Sequence, residues 1–224
     1  MNLNFNFKGI TKTNIKVKDT TELKQLINNL IQRYGNQVDL NNIDVSNIIY
    51  FNNIFKYKNY FEGDVSEWNV SNGLYFDYMF YECYKFNSNL AFWDVSNAKD
   101  LSFMFFQCYK FNADLSKWLV RNNINFCAMF SSNESFNANL NKWNVSKGKY
   151  FDYMFYNCKL FNADLSNWDV SNGETFDWMF YECINFSSNL SKWNVEKAKK
   201  WKLFSKNTKL TLNDIPEKFK TEND

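Results

Sequence analysis

The sequence predicts an α/β solenoid of about seven 25-residue coils, each a short strand followed by a short helix, closed at its N-terminal end by a helical cap. Three observations carry this expectation. Trp recurs at 68, 93, 118, 143, 168 and 193, always 25 residues apart. Val follows two positions later, from Val70 to Val195, and Val45 extends the series back by one unit. Leu90, Leu115, Leu140, Leu165 and Leu190 keep the same step, as do the Met-Phe pairs Met79-Phe80, Met104-Phe105, Met129-Phe130, Met154-Phe155 and Met179-Phe180. A fixed period of about 20 to 50 residues marks a stack whose units bury their apolar faces only against their neighbours.

Spacing within a unit assigns the elements. Leu165, Trp168 and Val170 follow the LxxLxL form of a strand that turns its apolar residues inward, whereas Phe176, Met179, Phe180 and Cys183 stand at i, i+3, i+4, i+7 and predict a helical turn. Ser171, Asn172 and Gly173 supply turn chemistry between them, and Phe161, Asn162 and Ala163 form the second connection. One strand and one short helix per coil is the leucine-rich-repeat plan.

The chain divides into an N-terminal cap (1–37), the repeats (38–205) and a C-terminal cap and tail (206–224). An open stack needs caps to keep its terminal apolar faces dry. Asp19 or Thr20 caps a helix whose Leu23, Leu26, Ile27, Leu30 and Ile31 share one face, and Gly35 ends it after Tyr34. The alternation NLNFNFKGI within residues 1–18 predicts an added edge strand. Beyond Trp201, Leu203 and Phe204 the pattern decays, and LTLNDIPEKFK, with the sole proline, reads as a short capping segment followed by fraying residues.

The run CxxFNxxLxxWDVSNxxxFxxMFxxC, over about residues 38 to 205, resembles the repeat of bacterial surface proteins and mycoplasma-type lipoproteins related to BspA-like leucine-rich repeats. The resemblance implies architecture above all, together with surface adhesion and protein–protein interaction. The chain departs from those families in showing neither an export signal nor a lipobox cysteine.

Composition narrows the function. Aromatic residues make up 20% of the chain, with 24 Phe, which argues for order. A net charge of +2 gives no field that would favour nucleic acid or an anionic membrane. The N-terminal run has no continuous apolar core of a signal peptide, and no segment approaches the length of a membrane span. The chain as given is therefore expected in the cytoplasm, with the cell surface as the alternative. It contains no histidine, which removes the commonest general base and transition-metal ligand. No cofactor is expected, and the chain is read as a non-enzyme.

Four of the five cysteines, Cys83, Cys108, Cys158 and Cys183, share one column with Asn133. They are read as small residues completing the apolar face, with a Cys83/Cys108 or Cys158/Cys183 disulfide as the alternative. Cys127 replaces the aspartate of Asp77, Asp152 and Asp177 and is expected to be an exposed free thiol. A second column alternates Asp64, Asn89, Asp114, Asn139, Asp164 and Asn189. It is read as a ladder in which each Asn donates to the carboxylates above and below, with calcium as the alternative ligand. The Trp column is read as core.

The remaining aromatics form two stripes on the helix flank: Tyr78, Phe103, Tyr153 and Trp178, and Tyr81, Phe106, Tyr156 and Tyr181. Ala128 and Ser131 interrupt them and leave a notch. The stripes are read either as rings that shield the backbone or as a partner-binding surface. On the second reading the chain is a binding module for a protein partner, with a glycan-binding surface adhesin as the rival.

Overall fold

The computed structural model describes residues 14–222, in which a 25-residue repeat solenoid is assembled almost wholly from turns. β1 (Ile15–Lys16) pairs in parallel with β2 (Ile43–Asp44). Between them lies α1 (Thr20–Tyr34), and a 3-10 helix, Glu217–Glu222, stands near the C-terminal end. The NLNFNFKGI alternation falls outside the described residues.

α1 forms where the sequence places it because its ends are satisfied locally. Asp19, the N-cap, accepts the Glu22 backbone N–H at 2.9 Å, and the Glu22 carboxylate reaches back to accept the N–H of Lys18, the residue before the cap, at 2.7 Å. Gly35, at φ +88°, donates its N–H to the Ile31 carbonyl. Leu23, Ile27 and Leu30 are buried, while Leu26 and Ile31 are packed against the core and only partly buried. The helix thus lays its apolar face on the core beside the first described coil.

Apart from the two-residue β2 in the first coil, the strand and helix expected in each coil are absent from the described repeats. Adjacent coils meet through isolated parallel bridges, one residue per coil, along Tyr50, Tyr75, Asp100, Asn125, Tyr150, Thr175 and Lys200. The LxxWxV stretch consists of turns, closed by Trp168 N–H to Leu165 and by Gly173 N–H to Val170. In the expected helix the backbone donors alternate. Met154, Tyr156 and Cys158 bond three residues back to Phe151, Tyr153 and Phe155, whereas Phe151, Tyr153, Phe155 and Asn157 donate to carbonyls of the next coil at 2.7–3.0 Å. Tyr153 and Asn157 adopt φ +57° and +55°, so Phe151–Met154 and Phe155–Cys158 have the arrangement of type II turns.

The reason is room. An α-helix is about 10 Å across with its side chains and directs every N–H along its own axis, yet equivalent rings in this segment stack at 5.7 Å (Phe80–Phe105) and 5.5 Å (Phe155–Phe180). Coils this close need their amides aimed at one another, and the left-handed residues turn alternate peptides to do so. Each such residue costs about 1–2 kcal/mol, which the net worth of about 0.5–1.5 kcal/mol per inter-coil hydrogen bond roughly offsets. Burial of the rings decides the balance.

The core is a set of parallel side-chain columns. Trp68–Trp93, Trp118–Trp143, Trp143–Trp168 and Trp168–Trp193 lie within 5° of parallel at 6.3–6.4 Å. Each of the six indoles donates to a Leu or Val carbonyl 28 residues earlier, as Trp143 does to Leu115 at 3.0 Å. At the C-terminal end the stacking stops. Phe204 turns edge-on to Phe180 at 88°, and Phe219 packs against Phe176, Trp201 and Phe204.

Candidate interaction surface

The two aromatic stripes lie on the turn segment, and the left-handed backbone sets the first of them. Tyr78, Phe103, Ala128, Tyr153 and Trp178 all have φ between +50° and +60°, a conformation ordinarily left to Gly or Asn. Their side chains leave the coil on its flank, where every stripe ring keeps part of its surface in solvent and Tyr153 is 40% exposed. Rings stack along each stripe: Tyr78–Phe103 and Tyr81–Phe106 at 4.7 Å, Tyr156–Tyr181 at 5.4 Å and Tyr153–Trp178 at 5.9 Å. Cross-stripe contacts such as Tyr78–Tyr81 (5.4 Å) and Trp178–Tyr181 (4.8 Å) join each set of four into one field. Ala128 and Ser131, each 2% exposed, separate the two fields as expected.

Sequence reading missed what stands at the ends of this row. The Lys56 ammonium lies 4.4 Å over the Tyr78 ring and 5.1 Å over Tyr57 and Tyr81, and Lys202 lies 5.9 Å over Trp178. The signal was available, since Lys56 stands 25 residues before Tyr81 and Lys202 25 residues after Asp177. A third, shorter stack, Tyr84–Tyr109 at 4.9 Å, was also overlooked.

Acidic groups border the fields. Burial, and then the carboxylates of Asp77 and Asp100, push the Tyr78 hydroxyl above its usual range; burial, Asp177 and Asp152 do the same at Tyr153. Asp77 is itself raised by burial and by Asp100.

The polar columns behave differently from the expected ladder. In the Asp64–Asn189 column each Oδ1 accepts the backbone N–H two residues on, as Asp64 does from Ser66 (2.9 Å), Asn89 from Ala91 (3.0 Å) and Asp114 from Ser116 (2.8 Å). These are Asx turns. Both residue types present the same Oδ1, so Asp and Asn alternate without consequence, and the inter-coil donation from Asn is not made. The carbonyls that do run between coils are those of Asn87, Asn112, Asn137 and Asn162, each accepting from the equivalent backbone N–H of the next coil at 2.8–2.9 Å. Among the described residues no group of three or more His, Cys, Asp or Glu is placed to hold a metal ion.

The cysteine column is structural. Cys83, Cys108, Cys158 and Cys183 are free and buried, and each thiol donates to a Phe carbonyl 28 residues earlier at 2.8–3.0 Å. Asn133, in the same column, is fully buried with both side-chain amide atoms unpartnered. Cys127 is not the exposed thiol expected. It is partly buried 3.5 Å from the Asp152 carboxylate, and burial, with Asp152 second, pushes its pKa up to about 12. Such a thiol stays protonated and unreactive at neutral pH.

No helix among the described residues is long and apolar enough to cross a membrane. No curated protein and no solved structure matches the chain. Two successive matches to one family pattern, starting at 21 and 122, lie about four repeats apart and together span most of the solenoid. The chain thus belongs to the family described as Mycoplasma protein of unknown function, DUF285, which it matches over residues 21–134 and 122–219.

Proposed function

We propose that this chain is a non-enzymatic binding module that takes a protein partner on the aromatic row running from Tyr78 and Tyr81 to Trp178 and Tyr181. One observation carries the reading: eight partly exposed rings lie on a single flank, and four of them, Tyr78, Phe103, Tyr153 and Trp178, stand on left-handed residues that cost about 1–2 kcal/mol each. Stacked rings are rigid, so little side-chain entropy remains to be lost on contact, and Tyr and Trp are the preferred anchors of interfaces. A surface spread over several coils suits a macromolecule.

The rival, a glycan-binding surface adhesin, needs open ring faces on which sugars can lie. Here most faces are spent on neighbouring rings at 4.7–5.9 Å or lie under Lys56 and Lys202, and the faces still open are confined to the gap at Ala128 and Ser131 and the outer end at Tyr181. The kinship to BspA-like leucine-rich repeats belongs to the same proposal; it is supported by the 25-residue period and the inward Leu, Trp and Val columns.

The test is the double variant Trp178→Ser/Tyr181→Ser. Both rings are partly exposed and stack on Tyr153 and Tyr156, so stability should fall by about 1–3 kcal/mol with the fold retained, while affinity for a partner captured by the native protein should fall at least about thirtyfold. If the variant unfolds instead, and a substitution on the Trp-bearing side blocks capture, the rings are packing and the binding face lies elsewhere.

A further inference from the structure

Both stripes are interrupted at the same coil, and the interruption leaves four ring faces without a stacking partner. Phe103 and Phe106 stack back onto Tyr78 and Tyr81; Tyr153 and Tyr156 stack forward onto Trp178 and Tyr181. Between them the chain supplies only the methyl of Ala128 and the hydroxymethyl of Ser131, a dry floor. With coils about 5 Å apart, the facing rings stand about 10 Å from one another, so one flat layer is missing.

The charge around this notch is one-sided. Asp100 and Asp152 sit on the coils before and after it; Asp100 accepts from Asn125 at 3.1 Å, and Asp152 lies 3.5 Å from Cys127. Residues 122–141 contain no Lys or Arg. The two outer ends of the aromatic row are each occupied by an ammonium of the chain itself, Lys56 and Lys202. Ring faces on this row therefore already engage cations wherever the chain places one within reach, and the notch is the place where it places none.

We propose that the notch receives the guanidinium of an arginine side chain from a protein partner, flat between Phe103/Phe106 and Tyr153/Tyr156, with Asp100 and Asp152 alongside. A guanidinium is planar, carries charge on both faces and is weakly hydrated, so it stacks on two rings at once. A lysine ammonium offers no flat face, and a neutral aromatic guest draws nothing from the carboxylates. This inference rests on reading the aromatic row as a protein-binding surface.

The experiment uses the full chain with 13C-labelled alanine methyls and four peptides, Ac-Gly-Gly-Xaa-Gly-Gly-NH2, with Xaa as Arg, Lys, citrulline or Phe. The arginine peptide is expected to shift the Ala128 methyl signal and to bind at least tenfold more tightly than the citrulline peptide, which keeps the plane and lacks the charge. Ser131→Tyr, which fills the second stripe and keeps the Ala128 reporter, should abolish the shift; Ala128→Phe, which supplies the missing ring at a position where Phe103 already has the same backbone conformation, should abolish binding of the arginine peptide in calorimetry and serves if the first variant folds poorly. Equal or tighter binding of the Phe, citrulline or Lys peptide overturns the assignment, as does an unmoved Ala128 signal at millimolar arginine peptide. The two readings fail separately. A partner lost in Trp178→Ser/Tyr181→Ser with no peptide in the notch retains the row and removes the arginine; a peptide in the notch with the partner retained does the reverse.

Discussion

α1 and the turn segment Phe176–Cys183 carry the same apolar spacing, i, i+3, i+4, i+7, yet one is a helix and the other a ladder of turns. In α1 the series is Leu23, Leu26, Ile27 and Leu30; in the coil it is Phe176, Met179, Phe180 and Cys183. What differs is the surroundings. α1 has 15 residues, an N-cap at Asp19, a terminal Gly35 and solvent on its outer side, so its backbone satisfies itself. The coil segment is short and lies between two copies of itself about 5 Å away, and its donors reach across to Lys200, Lys202, Phe204 and Lys206. Periodicity reports which side chains point inward; it does not report where the amides go.

The largest test of this contrast removes a core ring from the ladder. Trp143→Ala should lower stability by about 3–5 kcal/mol, the range for a large aromatic taken from a packed core, because it empties a layer of the indole column and removes one of the two donors to the Leu115 carbonyl. A urea-denaturation loss below about 1 kcal/mol would mean that the column does not hold the coils together.

Next in size is a gain. Asn133→Cys should stabilise the chain by about 1–3 kcal/mol, since it removes two buried unpartnered amide atoms and restores a thiol aimed at the Phe105 carbonyl, as in its four column-mates. A destabilised variant would show that Asn133 is satisfied in a way the other column members do not share.

Glycine separates the two regions by sign. Gln25→Gly, on the exposed side of α1, should cost about 1 kcal/mol, whereas Gln107→Gly, at φ +54°, should be neutral to about 1 kcal/mol stabilising because left-handed strain is relieved. Equal losses at both positions would place Gln107 in an ordinary right-handed turn.

The smallest effect is electrostatic. Hydrogen bonds from the Ser116 and Ser166 backbones hold Asp114 and Asp164 below the usual carboxylate range. A carboxylate depressed in the folded state stabilises it above the unfolded pKa of about 4, and that contribution is lost as pH falls through the folded value. Stability should therefore stay level near neutrality and decline below about pH 4. Asp114→Asn/Asp164→Asn should flatten the decline and leave stability at pH 7 nearly unchanged, as the Asn already present in alternate coils implies. An unaltered acid slope would assign the decline to other groups.

Much of this was legible in the residues alone. The 25-residue period, the inward Leu, Trp, Phe and Cys columns, the two aromatic stripes and the gap at Ala128 and Ser131 follow from counting. So do the ends of α1, because Asp19, Glu22 and Gly35 act on backbone groups within a few positions of themselves. The local Asx turns were within reach too, since an Asp or Asn followed two residues later by a backbone donor needs no distant partner; expecting a ladder there overlooked the nearer acceptor geometry. What the tertiary structure decided is the conformation of the turn segments, the left-handed placement of Tyr78, Phe103, Tyr153 and Trp178 and the burial of Cys127. Each of these depends on groups about 25 residues away in sequence and one coil away in space. Local preference would leave Tyr or Trp out of a left-handed turn, and only the amide and ring of the adjacent coil reverse that choice.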